Sequence, residues 1–192
     1  MAPVVVPERV PRRDSAFGRW LGRTVHAAWG WKIEGELPNA PKFVIALAPH
    51  TSNWDFIFGA ATMFALDIRL DFIGKHTLFV GPLGALLRWM GGIPVDRSAA
   101  QGIVGESVRA FSEAGERVLV ITPEGTRKQV EHFRPGFLHI ARGAGVPVLL
   151  VALDYARRTV VVGPTIHPGE DIEADRARIE AYYRPIQGKH PR

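Results

Sequence analysis

The stretch FVIALAPHTSNWD at residues 43–55 decides the fold class of this chain. Residues 43–48 are all apolar and Pro49 ends the run, which is typical of a short strand buried on both faces of a parallel sheet. A helix, predicted over residues 53–66, follows at once. A buried strand that leads directly into a helix is the repeating unit of α/β proteins. The stretch therefore predicts an α/β fold.

The same alternation continues outward from this stretch. Further strands are predicted at residues 71–74, 117–122, 146–153 and 158–162, and further helices at residues 82–90, 102–114, 135–142 and 171–183. A length of 192 residues suits one domain. We therefore expect an α/β single-domain sandwich, in which helices flank a mostly parallel central sheet, with an additional N-terminal amphipathic helix.

The chain before residue 36 has a different character. Residues 1–14 combine prolines and arginines around a short valine run, and we interpret them as a disordered leader. Residues 15–35 are predicted to form an amphipathic helix. Its apolar face would contain Phe17, Trp20, Leu21, Thr24, Ala28 and Trp31. Two alternatives are open for this helix: a position in a bilayer interface, which suits tryptophan and arginine together, or packing on the chain's own core.

The composition excludes several classes of protein. Cysteine is absent, which excludes a disulfide framework, a thiolate nucleophile and a zinc–thiolate site. Apolar residues make up 46% of the chain and charged residues 22%, as in ordinary globular domains. The formal net charge of +5 favours an anionic partner, whether a lipid headgroup, a nucleic acid or a phosphorylated substrate. No nucleic-acid module is recognisable, so a nucleic-acid partner is not expected.

A membrane-spanning helix is not expected, because no uninterrupted apolar run reaches about 18 residues. The most apolar stretch, residues 77–95, is interrupted by Gly81, Pro82 and Gly84. It could form core, or it could enter one leaflet. The histidines other than His50 show no metal-ligand spacing, so no metal site is predicted, and no phosphate loop of the GxxxxGK[ST] type occurs.

His50 stands at the carboxyl end of a predicted strand, the place where sites collect in open α/β sheets. Thr51, Ser52 or Asn53 can cap the helix that follows, which leaves Asp55 in its first turn, able to fold back toward the His50 ring. A neutral imidazole can take the proton of a hydroxyl nucleophile, and a carboxylate on its other nitrogen fixes the tautomer. A structural His–Asp pair without chemistry is the alternative.

Residues 122–127, TPEGTR, follow another predicted strand and could bind an anion. Gly125 lets the backbone approach a ligand, Thr126 offers a hydroxyl, and Arg127 can hold a phosphate with two parallel hydrogen bonds. The stretch GGIPVDR ends in a second arginine, Arg97. Two arginines from separate loops could converge on one phosphate. The alternatives are an ordinary turn for residues 122–127 and a solvated surface charge for Arg97.

In their order and spacing, these motifs resemble the four blocks of the glycerolipid acyltransferase family, which includes the 1-acylglycerol-3-phosphate acyltransferases. The resemblance covers about residues 43–153. The matching blocks are His50 with Asp55, residues 91–97, residues 123–127 and residues 146–148 before an apolar run. Pro49 and Thr122 stand where many members have asparagine and phenylalanine. The HTSNWD form is that of a compact branch of the family.

The resemblance implies an O-acyltransferase. His50, oriented by Asp55, would be the catalytic base that moves a fatty acyl group from acyl-CoA or acyl-carrier protein to the hydroxyl of a phosphate-bearing lysolipid. The first acceptor to consider is 1-acyl-sn-glycerol 3-phosphate, which would give phosphatidic acid. No cofactor is implied beside the acyl thioester co-substrate. The residues implied in binding the phosphate or glycerol are Lys75, Arg97, Glu124, Gly125, Thr126 and Arg127.

On this interpretation residues 36–192 form the acyltransferase domain, and the protein is expected to be cytoplasmic, bound peripherally to the inner face of the cytoplasmic membrane. Other functions stay open. The scaffold could serve as a non-catalytic, basic lipid-binding module, or the acceptor could be another lysophospholipid or an amino-lipid. Water in place of the lipid hydroxyl would give thioester hydrolysis, which would leave the phosphate-binding residues without a purpose.

Overall fold

A computed structural model describes residues 4–95, 100–127 and 130–190. The strands are β1 (Lys32–Gly35), β2 (Lys42–Leu47), β3 (Asp71–Lys75), β4 (Gly92–Val95), β5 (Arg117–Ile121), β6 (Val148–Asp154) and β7 (Thr159–Ile166). The helices are α1 (Ala16–Ala28), α2 (Trp54–Ala65), α3 (Gly81–Trp89), α4 (Ala100–Glu113), α5 (Gly136–Ala144) and α6 (Ile172–Tyr183), and a short 3₁₀ turn covers His76–Leu78.

Within the described ranges the strands form one seven-stranded sheet in the order β1-β7-β6-β2-β5-β3-β4. Neighbouring strands run parallel, apart from the antiparallel pair β6 and β7. Helices pack on this sheet and on one another. The predicted fold class, an α/β sandwich around a mostly parallel sheet with an additional N-terminal helix, is therefore confirmed.

The apolar sequence of β2 follows from its place in the middle of the sheet. Successive strand residues face opposite sides. Val44 and Ala46 join the core cluster that includes α5, and Phe43 and Ile45 join the cluster on the opposite face that includes Ile68. The four strand residues are at most 7% exposed. Because both faces are covered, this strand is a continuous apolar run and not an alternating one.

The segment predicted as one helix, residues 15–35, divides into a helix and a strand. The helix ends at Ala28, and Gly30 then turns the backbone at a φ of 65°. Lys32–Gly35 adds β1 to the sheet edge as a parallel partner of β7. Trp31, expected on the apolar face of the helix, is instead buried beside this strand.

Two further segments are more ordered than their composition indicated. Residues 1–14 were expected to be a disordered leader, but the described part, residues 4–14, packs on the domain. Val10 is 1% exposed, and Arg12 forms a β-bridge with Ile68. Gly92–Val95, where no strand was predicted, is the edge strand β4 beside β3.

Helix α1 packs on α2 through glycine and not through its aromatic side chains. A Cβ at Gly22 would lie 2.4 Å from the carbonyl oxygen of Ala61 and 2.4 Å from the backbone nitrogen of Ala65. Phe17 and Trp20 point away from this contact and are 69% and 60% exposed. Helix α1 therefore packs on the domain with Phe17 and Trp20 outward, and its position in a bilayer interface stays a prediction.

Residues 77–95 are partly core and partly exposed. In α3, Gly84 and Leu87 are buried and belong to the domain. Leu83, Leu86 and Trp89 are 50–64% exposed and form an outward apolar face. Among the residues that the structure describes, no helix is both long enough and apolar enough to cross a bilayer.

Candidate active site

The ends of three neighbouring strands meet at one edge of the sheet. The chain continues from β2 to His50, from β5 to Glu124 and from β6 to Tyr155. Because β2 lies between β5 and β6 and the three strands run in the same direction, their carboxyl ends share this edge. Edges of this kind carry the ligand sites of open α/β sheets.

Asp55 fixes the loop that carries His50. It lies in the first turn of α2 and is 1% exposed. Its Oδ2 accepts hydrogen bonds from the backbone N–H groups of Thr51 at 2.7 Å and Ser52 at 2.8 Å. The same oxygen lies 3.1 Å from Nδ1 of His50, as the spacing of the two residues predicted. The imidazole is thus fixed on the Asp55 side, while its side chain stays 21% exposed.

The other carboxylate oxygen of Asp55 is held by Tyr155. The phenol O–H donates to Oδ1 at 2.7 Å, and the Tyr155 ring meets Trp31 edge-on with 4.9 Å between ring centroids. Tyr155 was not among the predicted site residues; it lies 100 positions from Asp55 in the sequence. The sequence did contain a signal for Tyr155, because this residue comes just after a predicted strand, as His50 does. It does not show, however, that these two strands are neighbours in the sheet.

These contacts determine the charge of Asp55. Burial alone would raise its pKa, but hydrogen bonds from His50, Tyr155 and the backbone N–H groups of Ser52 and Thr51 outweigh burial and hold the pKa below its usual value. Burial, the hydrogen bond to Asp55 and the charge of that carboxylate raise the pKa of Tyr155 well above the usual tyrosine value. Near neutral pH, Asp55 is therefore ionised and Tyr155 is a neutral hydrogen-bond donor.

Glu124 positions the main chain of His50. Its side chain is 1% exposed, and its Oε2 accepts a hydrogen bond from the backbone N–H of His50 at 2.6 Å. The family resemblance implies that Glu124 contacts the phosphate or glycerol of a substrate. The contact that the structure shows runs instead to the His50 main chain, and a contact with substrate stays a prediction. Two buried carboxylates thus hold His50, one through its ring and the other through its backbone.

The remainder of the TPEGTR stretch forms a turn next to the His50 loop. The backbone N–H of Gly125 donates to the carbonyl of Thr122 at 3.0 Å, and Gly125 has a φ of 66°. Thr126 is half-buried in the same turn. Arg127 is exposed and lines a cavity of about 480 Å³ together with residues 51–54. The structure therefore brings Arg127 to the loop of His50.

Of the other predicted site residues, Lys75 lies outside this hydrogen-bonded group. Lys75 is exposed at the end of β3, and β5 separates this strand from β2. Two strand spacings amount to about 10 Å, so Lys75 shares the edge of the sheet with His50 without joining its hydrogen-bonded group. Arg97 lies outside the described residues.

Cavities of different polarity flank the His50 loop on either side of Trp54. Polar and charged residues supply most of the lining of the 480 Å³ cavity, whereas a second one, of about 600 Å³, has the aromatic walls Trp29, Trp31, Phe58 and Tyr155. In the described part of the chain, no group of three or more histidine, cysteine, aspartate or glutamate side chains could hold a metal ion. The site therefore combines His50, which is held by the carboxylate of Asp55, with the nearby cation of Arg127 and an apolar wall.

A family model described as Acyltransferase matches residues 32–154 of the chain. The chain belongs to the acyltransferase family. It is accordingly an O-acyltransferase enzyme. The matched range contains His50, Asp55, Glu124 and Arg127, and it ends one residue before Tyr155.

One solved structure that resembles this acyltransferase is the 1-acyl-sn-glycerophosphate (LPA) acyltransferase PlsC from Thermotoga maritima. The TM-score is 0.64 and the sequence identity 18%, over 88% of this chain and 76% of that chain. At this identity the likeness shows a shared fold. The curated proteins contain no match to the sequence.

Proposed function

We propose that this acyltransferase moves a fatty acyl group from acyl-CoA or acyl-carrier protein to the free hydroxyl of 1-acyl-sn-glycerol 3-phosphate and so forms phosphatidic acid. The observation that carries the proposal is the His50–Asp55 pair at the edge of the sheet, with Arg127 lining the adjacent cavity. Membership of the family supports the reaction type. The fold shared with an LPA acyltransferase supports the class of acceptor. The acyl thioester is the co-substrate, and the proposal includes no cofactor.

In the proposed reaction His50 is the general base. Its Nδ1 faces Asp55, so Nε2 takes the proton of the acceptor hydroxyl as the oxygen attacks the carbonyl carbon of the thioester. A C–O bond forms and the C–S bond breaks. The imidazolium then returns its proton to the departing thiolate, which leaves as a free thiol. A base placed in this way contributes roughly 10²- to 10⁴-fold in rate.

The ionised Asp55 supports both stages of this reaction. It holds the tautomer in which Nδ1 carries the proton, so that Nε2 can accept one, and it stabilises the imidazolium that forms. Its own position is fixed by four donors: the His50 ring, the Tyr155 hydroxyl and two backbone N–H groups. A carboxylate anchored in this way does not need to move as the charge develops on the ring.

Arg127 is the proposed contact for the phosphate of the acceptor. Its guanidinium can form two parallel hydrogen bonds to phosphate oxygens, and it lines the cavity beside the His50 loop. The backbone of Gly125 and the hydroxyl of Thr126 lie in the same turn and would complete this contact. Lys75 and Arg97 stay predictions as further phosphate-binding residues.

The lipid substrates imply docking at a bilayer, and the structure contains a surface suited to it. We define the apolar surface as the large exposed side chains of α1, α2 and α3, namely Phe17, Trp20, Leu21, Phe56, Ile57, Leu83, Leu86 and Trp89. Exposed apolar surface of this extent is unusual for a domain that stays in water. Tryptophan side chains are favoured at headgroup depth.

The three helices of the apolar surface are joined by aromatic contacts. Phe64 of α2 stacks on Trp89 of α3 with 6.0 Å between ring centroids, and a Cβ at Gly18 of α1 would lie 3.1 Å from the Phe64 ring. The guanidinium of Arg13 lies 5.3 Å from the centroid of Phe64 and 4.9 Å from that of Trp89. We propose that this surface binds an anionic leaflet, the inner face of the cytoplasmic membrane, which the net charge of +5 favours.

Release of free thiol from acyl-CoA on vesicles tests the proposed reaction. The purified chain is assayed with and without lysophosphatidic acid and compared with His50→Ala. His139→Ala is the matched control, because His139 is exposed on α5, away from the site. We expect thiol release to require both the acceptor and His50 and to be unchanged in the control. Turnover that persists in His50→Ala would exclude His50 as the base.

The same assay separates the other functions. Release that needs His50 but no acceptor would indicate thioester hydrolysis. Release only with another lysophospholipid, an amino-lipid or acyl-carrier protein would reassign the acceptor or the donor. Vesicle binding without release from any of these thioesters would indicate a non-catalytic lipid-binding module.

A further inference from the structure

The segment Ile186–His190, which follows α6, lies against the loop that carries His50. The backbone N–H of Tyr155 donates to the carbonyl of Gln187 at 2.9 Å, and the backbone N–H of His190 lies 3.4 Å from the hydroxyl of Thr51. Ile186 packs on the main core cluster. The segment is thus connected to two of the three strand ends that form the site.

Gly188 allows this close approach. It is buried, and a Cβ there would lie 2.7 Å from Cγ2 and 2.8 Å from Oγ1 of Thr51, and 3.3 Å from Pro49. Real side chains do not approach so closely, so the segment can lie on the His50 loop only because residue 188 has no side chain. The next residue, Lys189, is therefore held at a defined place beside the site.

Lys189 and Arg127 line the same cavity of about 480 Å³, and residues 51–54 of the His50 loop complete much of its wall. The ammonium group of Lys189 lies 4.4 Å from the ring centroid of Trp54, within cation–π range. Such a contact orients the lysine without neutralising its charge. Two side chains of positive charge thus line one cavity from segments more than 60 positions apart.

We infer that the segment Ile186–His190 is part of the substrate site and that Lys189, together with Arg127, binds a phosphate group of a substrate. The inference rests on the proposed function. A dianionic phosphate suits this cavity, because one guanidinium and one ammonium group can share its charge and donate hydrogen bonds to its oxygens. Both substrates carry phosphate: the lysolipid acceptor as a monoester, and coenzyme A in its nucleotide portion.

The test compares the native chain with Lys189→Ala. Arg184→Ala is the matched control, since it removes an exposed positive charge five positions earlier, at the end of α6 and away from the cavity. Titration calorimetry with sn-glycerol 3-phosphate and with coenzyme A measures phosphate binding without turnover. The KM values for lysophosphatidic acid and for acyl-CoA measure it in the reaction.

We expect Lys189→Ala to weaken the binding of one of these ligands about tenfold and to raise the corresponding KM, with little change in kcat. A loss confined to glycerol phosphate and lysophosphatidic acid assigns the cavity to the acceptor. A loss confined to coenzyme A and acyl-CoA assigns it to the donor. Binding constants that equal those of Arg184→Ala for both ligands would overturn the inference, as would native protein that binds neither ligand at millimolar concentration.

Calorimetry also distinguishes this inference from the proposed function. If the chain shows no acyl transfer but Lys189→Ala still weakens phosphate binding, the cavity is confirmed and the reaction is not. If acyl transfer occurs and depends on His50, while Lys189→Ala behaves like Arg184→Ala, the reaction stands and the role of Lys189 is refuted.

Discussion

The hydrogen bond between Tyr155 and Asp55 gives the most direct test of how the site is held together. Tyr155→Phe removes one hydroxyl and keeps the ring, which meets Trp31 at 4.9 Å and Phe58 at 6.1 Å between centroids. The lost bond is 2.7 Å long, and its acceptor is an ionised, buried carboxylate. Hydrogen bonds to charged groups contribute about 1.5–3 kcal/mol, so we expect the free energy of unfolding to fall by about this amount.

We expect the transition state of the reaction to lose less free energy than the folded state does. Three donors to Asp55 remain after the substitution, namely the His50 ring and the backbone N–H groups of Thr51 and Ser52. We therefore expect about 1.4 kcal/mol of the lost interaction to appear in the transition state, which is about a tenfold drop in kcat/KM. KM should change little, because the aromatic wall that Tyr155 provides is kept.

The pH dependence of Tyr155→Phe has a defined sign. The pKa of Asp55 is lower in the folded chain than in the unfolded chain, so its ionised form stabilises the fold above the unfolded pKa, and this contribution is lost as the pH falls through the folded pKa. Removal of the Tyr155 hydroxyl raises the folded pKa of Asp55. The loss begins near the unfolded pKa, which the substitution leaves unchanged, so the acid-side loss of stability should be smaller in Tyr155→Phe than in the native chain.

The measurements are urea denaturation at several pH values and steady-state kinetics. Tyr182→Phe is the matched control, because it removes a phenol hydroxyl outside the site. A double-mutant cycle with Asp55→Ala isolates the pair, and we expect a coupling energy of about 1.5–3 kcal/mol. The proposed role of the Tyr155 hydroxyl is refuted if Tyr155→Phe equals Tyr182→Phe in the free energy of unfolding, in kcat/KM and in the loss of stability at acidic pH.

Three further predictions concern other parts of the structure. Glu124→Gln keeps an acceptor for the His50 N–H but loses the charge, so the free energy of unfolding should fall by about 1–2 kcal/mol in denaturant titrations; an unchanged midpoint contradicts this. Gly22→Ala has no room against α2 and should lower the free energy of unfolding by about 1–3 kcal/mol. Gly59→Ala, with open space around its Cβ, should raise it by about 0.5–1 kcal/mol. Thermal unfolding measures both, and equal effects would refute the close α1–α2 contact. Trp20→Ala and Leu83→Ala should each weaken partition onto anionic vesicles about tenfold, since burial of such a side chain contributes about 1.5–3 kcal/mol. Partition equal to that of the native chain would exclude the apolar surface as the membrane-binding surface.

The strands that the sequence predicted are those whose local pattern reflects their surroundings. β2, β5 and β6 lie inside the sheet, where burial of both faces requires apolar runs. β1 and β4 are the two edges, and their sequences KIEG and GIPV carry no such pattern. Each adopts its extended form by pairing with a single neighbour, β7 or β3. Edge strands of this kind are decided by tertiary contacts, so sequence reasoning missed them.

The periodicity of α1 predicted an amphipathic helix but not the direction of its apolar face. A periodic pattern of apolar residues shows that a helix has an apolar face, and such a face is usually buried in the core. Here the buried face is made of Gly18, Gly22 and His26, because only small residues allow α1 to approach α2 so closely. Phe17 and Trp20 therefore point outward, a direction that the periodicity alone did not specify.

By itself the sequence determined the fold class, the family resemblance and the contact between His50 and Asp55. That contact is local, because a strand end and the first turn of the next helix bring residues five positions apart together. Only the tertiary structure decided the rest of the site. Tyr155 reaches Asp55 because β6 neighbours β2, and Lys189 reaches the cavity because Gly188 packs on Thr51. Strand order and close packing between distant segments depend on the whole fold, so no local pattern in the sequence specifies them.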